Sequence, residues 1–275
     1  MAENNIALVN GKPAVTLSFQ DRGLSYGQGL FETLRIAGGK PLLWEAHLQR
    51  LLRGCQRLHI PAEGLQTALQ EDLEQLPVVD QAVLKILVTA GCGGRGYTLP
   101  TDIQSTRILQ QLPFPDYSDN PGLRGIQARW CNLQLACAPA LAGIKHLNRL
   151  EQVLARAEWN DPSVQEGIVC GADGYLAEGT MSNLFLVYDG RLMTPDLSLY
   201  GIAGIMRNYL IELAASVGIK TETGQYTRAE LLAADEVFFC NSLIGIWPLA
   251  QLDDQTFIPG PVTRRLQGLL KENYC

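Results

Sequence analysis

The run Glu178-Gly-Thr180-Met-Ser182-Asn183-Leu-Phe185 places an acidic residue at the end of one extended segment and small hydroxyl residues just ahead of another, which is apolar. A carboxylate so placed can hold a ring nitrogen protonated; its ordinary reading is a glutamate in a hairpin connection. Downstream, Ile202-Ala-Gly204-Ile205-Met206-Arg207 sets a glycine before a helix predicted over 205–217 and stopped by Gly218. The first backbone N–H groups of such a helix face an anion, or only water and a cap. Upstream, Gly143-Ile-Lys145-His lies between a strand predicted over 126–136 and an apolar stripe of Leu147, Leu150, Leu154 and Ala157 that predicts the next helix. With apolar Ile144 beside it, Lys145 reads as partly desolvated, which favours a neutral nucleophilic amine; a loop lysine is otherwise a solvated surface charge.

Taken together, these segments resemble the fold-type IV (class IV) pyridoxal-phosphate enzymes. The family signature runs Glu, any, small, two residues, Asn, apolar, aromatic, then apolar, any, Thr, and later apolar, any, Gly, apolar, any, basic. The chain supplies Glu178, Thr180, Asn183, Leu184 and Phe185, then Leu192 and Thr194, then Ile202, Gly204, Ile205 and Arg207, with no departure. Asp21-Arg22-Gly23, Tyr26-Gly27, Phe31-Glu32-Thr33 and His47-Leu-Gln-Arg50 are similar to the family's amino-terminal domain.

The resemblance implies pyridoxal 5'-phosphate as cofactor. It makes Lys145 the Schiff-base lysine, Glu178 the partner of the pyridine nitrogen, and Arg50 a phosphate ligand, with Gly204 and the amides of Ile205 and Met206 beside the phosphate. Ser242 is a weaker match to a phosphate or carboxylate contact. Arg95, in Gly93-Gly-Arg95-Gly-Tyr97, matches an arginine that holds a substrate carboxylate; its ordinary reading is an exposed loop arginine. Arg35, Tyr97, Tyr117 and Asn241 are further pocket candidates, while His47 and His146 read as structural. The run Ala142–Leu154 and the Gly93–Tyr97 loop are most similar to the family's lyases, which expel pyruvate from an aminated ring. An aminotransferase acting on D-alanine or branched-chain amino acids is the alternative, and a non-catalytic binding protein leaves Lys145 without a reason. A homodimer with the active site near its interface is also implied.

The fold expected is α/β (α+β) in two domains. A smaller amino-terminal α/β domain covers 1–115, a linker rich in proline covers 116–122, and a larger, strand-rich α/β pseudo-barrel domain covers 123–275. The first domain opens on a hairpin around Asn10-Gly11. Helices are predicted over 44–58 and 63–76, with His47, Arg50 and Arg57 on a flank of the first, and a buried strand over 82–89. In the second, Asp173-Gly174 and Asp189-Gly190 divide short strands, and Thr227-Arg-Ala-Glu230 is a capping box ahead of a strand over 236–240.

Composition bounds the partners. Over 275 residues, 47% hydrophobic and 18% charged, the net charge is -6, the opposite of a nucleic-acid footprint. No window approaches the roughly 18 to 20 apolar residues of a membrane span, and Met1–Asn5 lacks the basic start of a signal peptide. The expected location is the cytoplasm. The seven cysteines are scattered, with no C-x-x-C pair or histidine at ligand spacing, so they read as reduced structural thiols rather than a metal site.

Overall fold

The computed structural model of the chain describes residues 6–274; Met1–Asn5 and the thiol of Cys275 lie outside the described residues. Two compact units emerge. One runs to Asp116 and takes in Ile144–Asn148; the other comprises Tyr117–Gly143 and the chain from Arg149 on.

The first unit contains β1 (Ile6–Val9), β2 (Lys12–Pro13), α1 (Arg22–Tyr26), β3 (Gly29–Ala37), β4 (Lys40–Pro41), α2 (Trp44–Arg57), α3 (Leu65–Glu74), β5 (Gln81–Thr89) and β6 (Thr106–Leu112). Its sheet has the order β2-β1-β6-β5-β3-β4, antiparallel throughout. The opening hairpin turns at Asn10 and Gly11, both at positive φ. Its second run is short: Pro13, opposite Leu8, would turn its missing N–H away from β1, the Ala14 N–H adds one bond to the Ala7 carbonyl at 3.1 Å, and Val15 and Phe19 beyond are exposed.

Strand periodicity puts Leu30, Glu32, Leu34 and Ile36 of β3 on one buried face. On α2 the buried positions His47, Leu48, Arg50, Leu51, Gly54 and Cys55 follow helical spacing, whereas Arg57 is exposed. A Cβ on Gly54 would lie 2.7 Å from Leu30 Cδ2, so the helix packs close to the strand only because that residue is glycine. Leu34, Leu51, Leu69, Leu84 and Leu109 make the core, joined by Ile144 from the returning segment. Burying each leucine is worth about 1.5 to 3 kcal/mol.

The second unit contains α4 (Pro121–Arg124), β7 (Ile126–Leu135), α5 (Leu150–Arg156), β8 (Val164–Gly171), β9 (Leu176–Gly179), β10 (Asn183–Tyr188), β11 (Arg191–Pro195), α6 (Ile205–Ser216), β12 (Thr221–Gly224), α7 (Arg228–Leu232), β13 (Glu236–Asn241), β14 (Gly245–Leu252), β15 (Gln255–Thr256) and α8 (Pro261–Tyr274). Among the described residues, its sheet of nine strands runs β12-β11-β10-β13-β14-β7-β8-β9, with β15 on β14. The fold is mixed α/β and strand-rich. β10 and β13 are buried along nearly their whole length, and Phe185 stacks on Phe238 at 4.9 Å. Thr227 and Glu230 form the capping box in full.

Two features of the second unit differ from the sequence expectation. Part of the proline-rich stretch is helical, as α4. The stripe of Leu147, Leu150, Leu154 and Ala157 does not line a core: the helix begins only at Leu150, and Leu150, Val153 and Leu154 are exposed. Periodicity reveals that a helix has an apolar face, not what covers it.

Candidate active site

In the first unit, residues 145–147 run antiparallel beside the start of β3. Phe31 N–H donates to the Lys145 carbonyl at 2.9 Å and Leu147 N–H to the Gly29 carbonyl at 2.9 Å, with His146 opposite Leu30. Alternation along this short strip buries Ile144 and His146 and turns half-buried Lys145 the other way, with Nζ 4.4 Å from the centre of the Phe31 ring.

On the buried face of β3, Glu32 is the hub. It accepts hydrogen bonds from Arg50 Nε at 2.8 Å and Arg50 Nη2 at 2.5 Å, and its Oε2 lies 2.6 Å from His47 Nδ1. Burial alone would raise the Glu32 carboxyl, but the Arg50 charge and the hydrogen bonds from His47 and Arg50 hold it down to about 2. Burial lowers the pKa of His47, and the charges of Arg50 and Lys145 add to that against the pull of Glu32. An ionised carboxylate only accepts, so the neutral imidazole carries its proton on Nδ1. Glu32 therefore fixes the fork of Arg50. In the sequence Glu32 stands out only within a matching run; the signal it carries is an acid at a strand position whose alternate neighbours, Leu30, Leu34 and Ile36, are apolar.

In the second unit, Glu178 is buried on β9 and accepts from the Ile202 N–H at 2.8 Å and from Gln152 Nε2 at 3.2 Å. Gly201 adopts φ 72°, and a Cβ there would stand 3.0 Å from Glu178 Oε2. Asn183, at the start of β10, straps the same turn: its Nδ2 donates to the Ile202 carbonyl at 2.9 Å and its Oδ1 accepts from the Gly204 N–H at 3.0 Å. Buried Arg207 donates to Thr194 Oγ1 at 3.1 Å and to the Pro195 carbonyl at 3.0 Å, tying α6 to β11. Asn183, Thr194, Gly204 and Arg207 thus form the frame that aims the start of α6. No side chain caps that start, which leaves the amides of Ile205 and Met206 at an open helix N-terminus.

The turn after Glu178 has its own anchor. Glu166 Oε1 accepts from the amides of Gly167 and Thr180, both at 2.9 Å, and from Thr180 Oγ1 at 2.6 Å, while its Oε2 accepts from Ser182 Oγ at 2.6 Å. Burial raises this carboxyl against those four bonds.

The remaining candidates are placed as follows. Half-buried Ser242 accepts through its carbonyl from Tyr274 Oη at 2.8 Å. Asn241 uses its side chain on the local turn, accepting from the amides of Leu243 and Ile244 and donating to the Met181 carbonyl. Tyr117 meets the Trp247 ring edge-on at 5.2 Å, and burial raises its hydroxyl. Arg35 lies 5.2 Å from the Phe114 ring, and Arg95 and Tyr97 are exposed on the glycine-rich loop. Among the described residues, no group of three or more His, Cys, Asp or Glu is arranged to hold a metal ion.

Each unit by itself carries groups of the kind pyridoxal phosphate needs: in the first, a half-buried lysine beside an aromatic ring; in the second, a buried carboxylate set by a backbone amide and an uncapped helix start preceded by glycine. The family model described as amino-transferase class IV matches residues 29–252, and the chain belongs to that family. The chain is 36% identical to the aminodeoxychorismate lyase of Vibrio harveyi over 95% of its own length and 98% of the relative's. It matches the crystal structure of 4-amino-4-deoxychorismate lyase from Pseudomonas aeruginosa with a TM-score of 0.94 and 46% identity, covering 98% of this chain and 99% of that one. The branched-chain amino acid aminotransferase of Escherichia coli matches with a TM-score of 0.85 and 26% identity, covering 99% and 95%.

Proposed function

We propose that the protein is a pyridoxal-phosphate-dependent carbon–oxygen lyase that converts 4-amino-4-deoxychorismate to 4-aminobenzoate and pyruvate, a step of folate biosynthesis. The observation that carries this is the 46% identity, sustained over both whole chains, to a lyase of that name. The aminotransferase fold neighbour is far more distant at 26%.

As the family resemblance implies, Lys145 would bond to the cofactor, Glu178 would hold a proton on its ring nitrogen, and Arg50 and, separately, the amides of Ile205 and Met206 would be candidates for its phosphate. When bound, the cofactor supplies an electron-accepting ring that acidifies the carbon bearing the substrate amine. Once the substrate amine has taken its place, Lys145 Nζ is a free amine and takes the proton from that carbon, C4 of the substrate ring. The bond from the adjacent carbon to the enolpyruvyl oxygen breaks with its electron pair going to that oxygen, the departing enolpyruvate takes up one proton, balancing the one lost from C4, to become pyruvate, and the ring becomes aromatic. The atoms of the substrate equal those of the two products, so neither water nor a second substrate is consumed. A negative charge on Glu178 would favour the protonated ring nitrogen. Arg95 is the candidate for a substrate carboxylate, with Tyr97, Asn241, Arg35 and Tyr117 as further pocket residues.

The test follows from that balance. Purified protein with pyridoxal phosphate and 4-amino-4-deoxychorismate should release 4-aminobenzoate and pyruvate in equal amounts with no keto acid added. Turnover that needs a keto acid, with D-alanine or a branched-chain amino acid as donor, would replace the lyase by an aminotransferase.

We further propose a homodimer in the cytoplasm. The apolar face of α5, with Leu150, Val153 and Leu154 exposed, supports a covering partner, and the exposed thiols of Cys92 and Cys137 suit a reducing compartment. No helix among the described residues is long and apolar enough to cross a membrane.

A further inference from the structure

Asp21-Arg22-Gly23 has no part in the chemistry above, yet its side chains are buried as deeply as the site's own. Asp21 is 0% exposed; it caps α1 through the Gly23 N–H at 2.7 Å and accepts from Thr89 Oγ1 at 2.9 Å. Thr89 Oγ1 in turn accepts from the Gly91 N–H at 3.0 Å, and the Arg22 N–H donates to the Gly91 carbonyl at 2.9 Å. A Cβ on Gly23 would stand 2.4 Å from Thr89 Cγ2, so only glycine fits there. The motif thus grips the point where β5 gives way to the glycine-rich loop.

Arg22 reaches the loop's far end. Its guanidinium donates to the carbonyls of Gly96 at 3.0 Å, Gly93 at 3.4 Å and Tyr97 at 3.3 Å, while Nε donates to Gln28 Oε1 at 2.7 Å. It also lies 4.8 Å from the centre of the Tyr26 ring, which meets Tyr97 at 5.5 Å. Among the described residues it has no carboxylate at ion-pair distance, although it is only 3% exposed. A buried guanidinium without a counter-charge is costly, and here its two terminal nitrogens donate to backbone carbonyls of one loop. That loop needs holding: Gly91, Gly93, Gly94 and Gly96 all take positive φ, and glycine loses the most freedom when a loop is ordered.

We propose that Arg22 is a positioning residue that clamps the 93–97 carbonyls and so fixes Arg95 and Tyr97 toward an anionic group of the substrate. The inference rests on the reading of Arg95 as the residue that holds a substrate carboxylate. A clamp of this kind acts on substrate binding, not on the proton transfer at Lys145.

The experiment compares holoenzyme of wild type, R22A, R22K and R95A by steady-state kinetics with 4-amino-4-deoxychorismate, thermal unfolding, and amide hydrogen exchange of residues 92–97. R22A should raise KM about tenfold with kcat within about twofold, and the loop amides should exchange faster. Should R22A fail to fold, R22K carries the test: a single ammonium cannot span three carbonyls, so KM should still rise several-fold with faster loop exchange. R95A should raise KM at least as much, with loop exchange unchanged. A raised KM in R95A beside an unchanged KM in both Arg22 variants overturns the clamp alone; an unchanged KM in R95A overturns the reading of Arg95 and the inference with it. A lower Tm and kcat at constant KM in the Arg22 variants makes the residue merely structural and also overturns the proposal.

Discussion

Glu32 and Glu166 are each 1% exposed, one in each unit, and burial pushes both carboxyls toward the neutral form. Their partners send them in opposite directions. Glu32 receives a guanidinium and is held down to about 2; Glu166 receives four donors, all neutral, and stays raised. Supplying four hydrogen bonds is therefore not the same as neutralising a charge. In the first unit the ion pair holds the Arg50 guanidinium at one angle. In the second, backbone amides and hydroxyls hold a turn rigid without adding charge near Glu178.

The largest effect belongs to Lys145, whose charge acts on His47 in the ion-paired network. Lys145→Ala should abolish turnover and the borohydride-reducible link to pyridoxal phosphate; a reducible adduct persisting on another lysine would remove Lys145 from its role. Next is Glu178, oriented like Glu166 by a backbone amide. Glu178→Gln keeps the size and loses the charge, so the cofactor should still bind while proton removal at the substrate's C4 slows by orders of magnitude. Single-turnover kinetics with deuterium at C4 checks this; a near-normal rate with an unchanged isotope effect would leave Glu178 a hairpin glutamate.

Arg50→Ala strips Glu32 of its counter-charge and leaves a buried carboxylate, a loss of about 3 to 5 kcal/mol. It should also weaken cofactor binding about ten- to a hundredfold, by removal of a charge-assisted phosphate contact. Denaturant unfolding of the apoprotein measures the first and cofactor titration the second. Excess pyridoxal phosphate should restore activity in the folded fraction. If it restores none, Arg50 does not hold the phosphate.

Much of this was legible in the sequence wherever a local rule applies. The turn at Asn10-Gly11, the capping box of Thr227 and Glu230, and the helix that follows Gly204 each depend on residues within a few positions of one another. The signature residues were legible as a set, though not as what they are: Asn183, Thr194 and Arg207 form a frame of hydrogen bonds rather than a contact surface. Glu32 was hidden because its partners come from another element, and β3 shows no clean apolar alternation once an acid occupies its buried face. Arg22 was hidden for the same reason, its carbonyl partners lying more than 70 residues along the chain. Residues 144–148 leave one unit for the other, and no local pattern marks a segment whose pairing is with Gly29–Phe31.

The smallest effect separates the two buried carboxylates most directly. The folded pKa of Glu32 lies below its ordinary 4.5, so the stability it contributes is full above 4.5 and is lost as pH falls toward about 2. At about 1.4 kcal/mol per pH unit this amounts to about 3 kcal/mol. His47 adds in the same direction from its ordinary 6.5 downward, since the unfolded chain takes up that proton first. Glu166 has the reverse sign: its folded pKa lies above 4.5, so stability falls as pH rises from 4.5 through the raised value. Denaturant unfolding of wild type, E32Q and E166Q from pH 2 to pH 7 should therefore give difference curves of opposite slope. E32Q should lose ground to wild type as pH rises from about 2 to 4.5, and E166Q should gain ground above 4.5. Parallel curves would mean that the two carboxylates share one electrostatic environment, and the contrast between ion-paired and neutrally bonded carboxylates would fall with them.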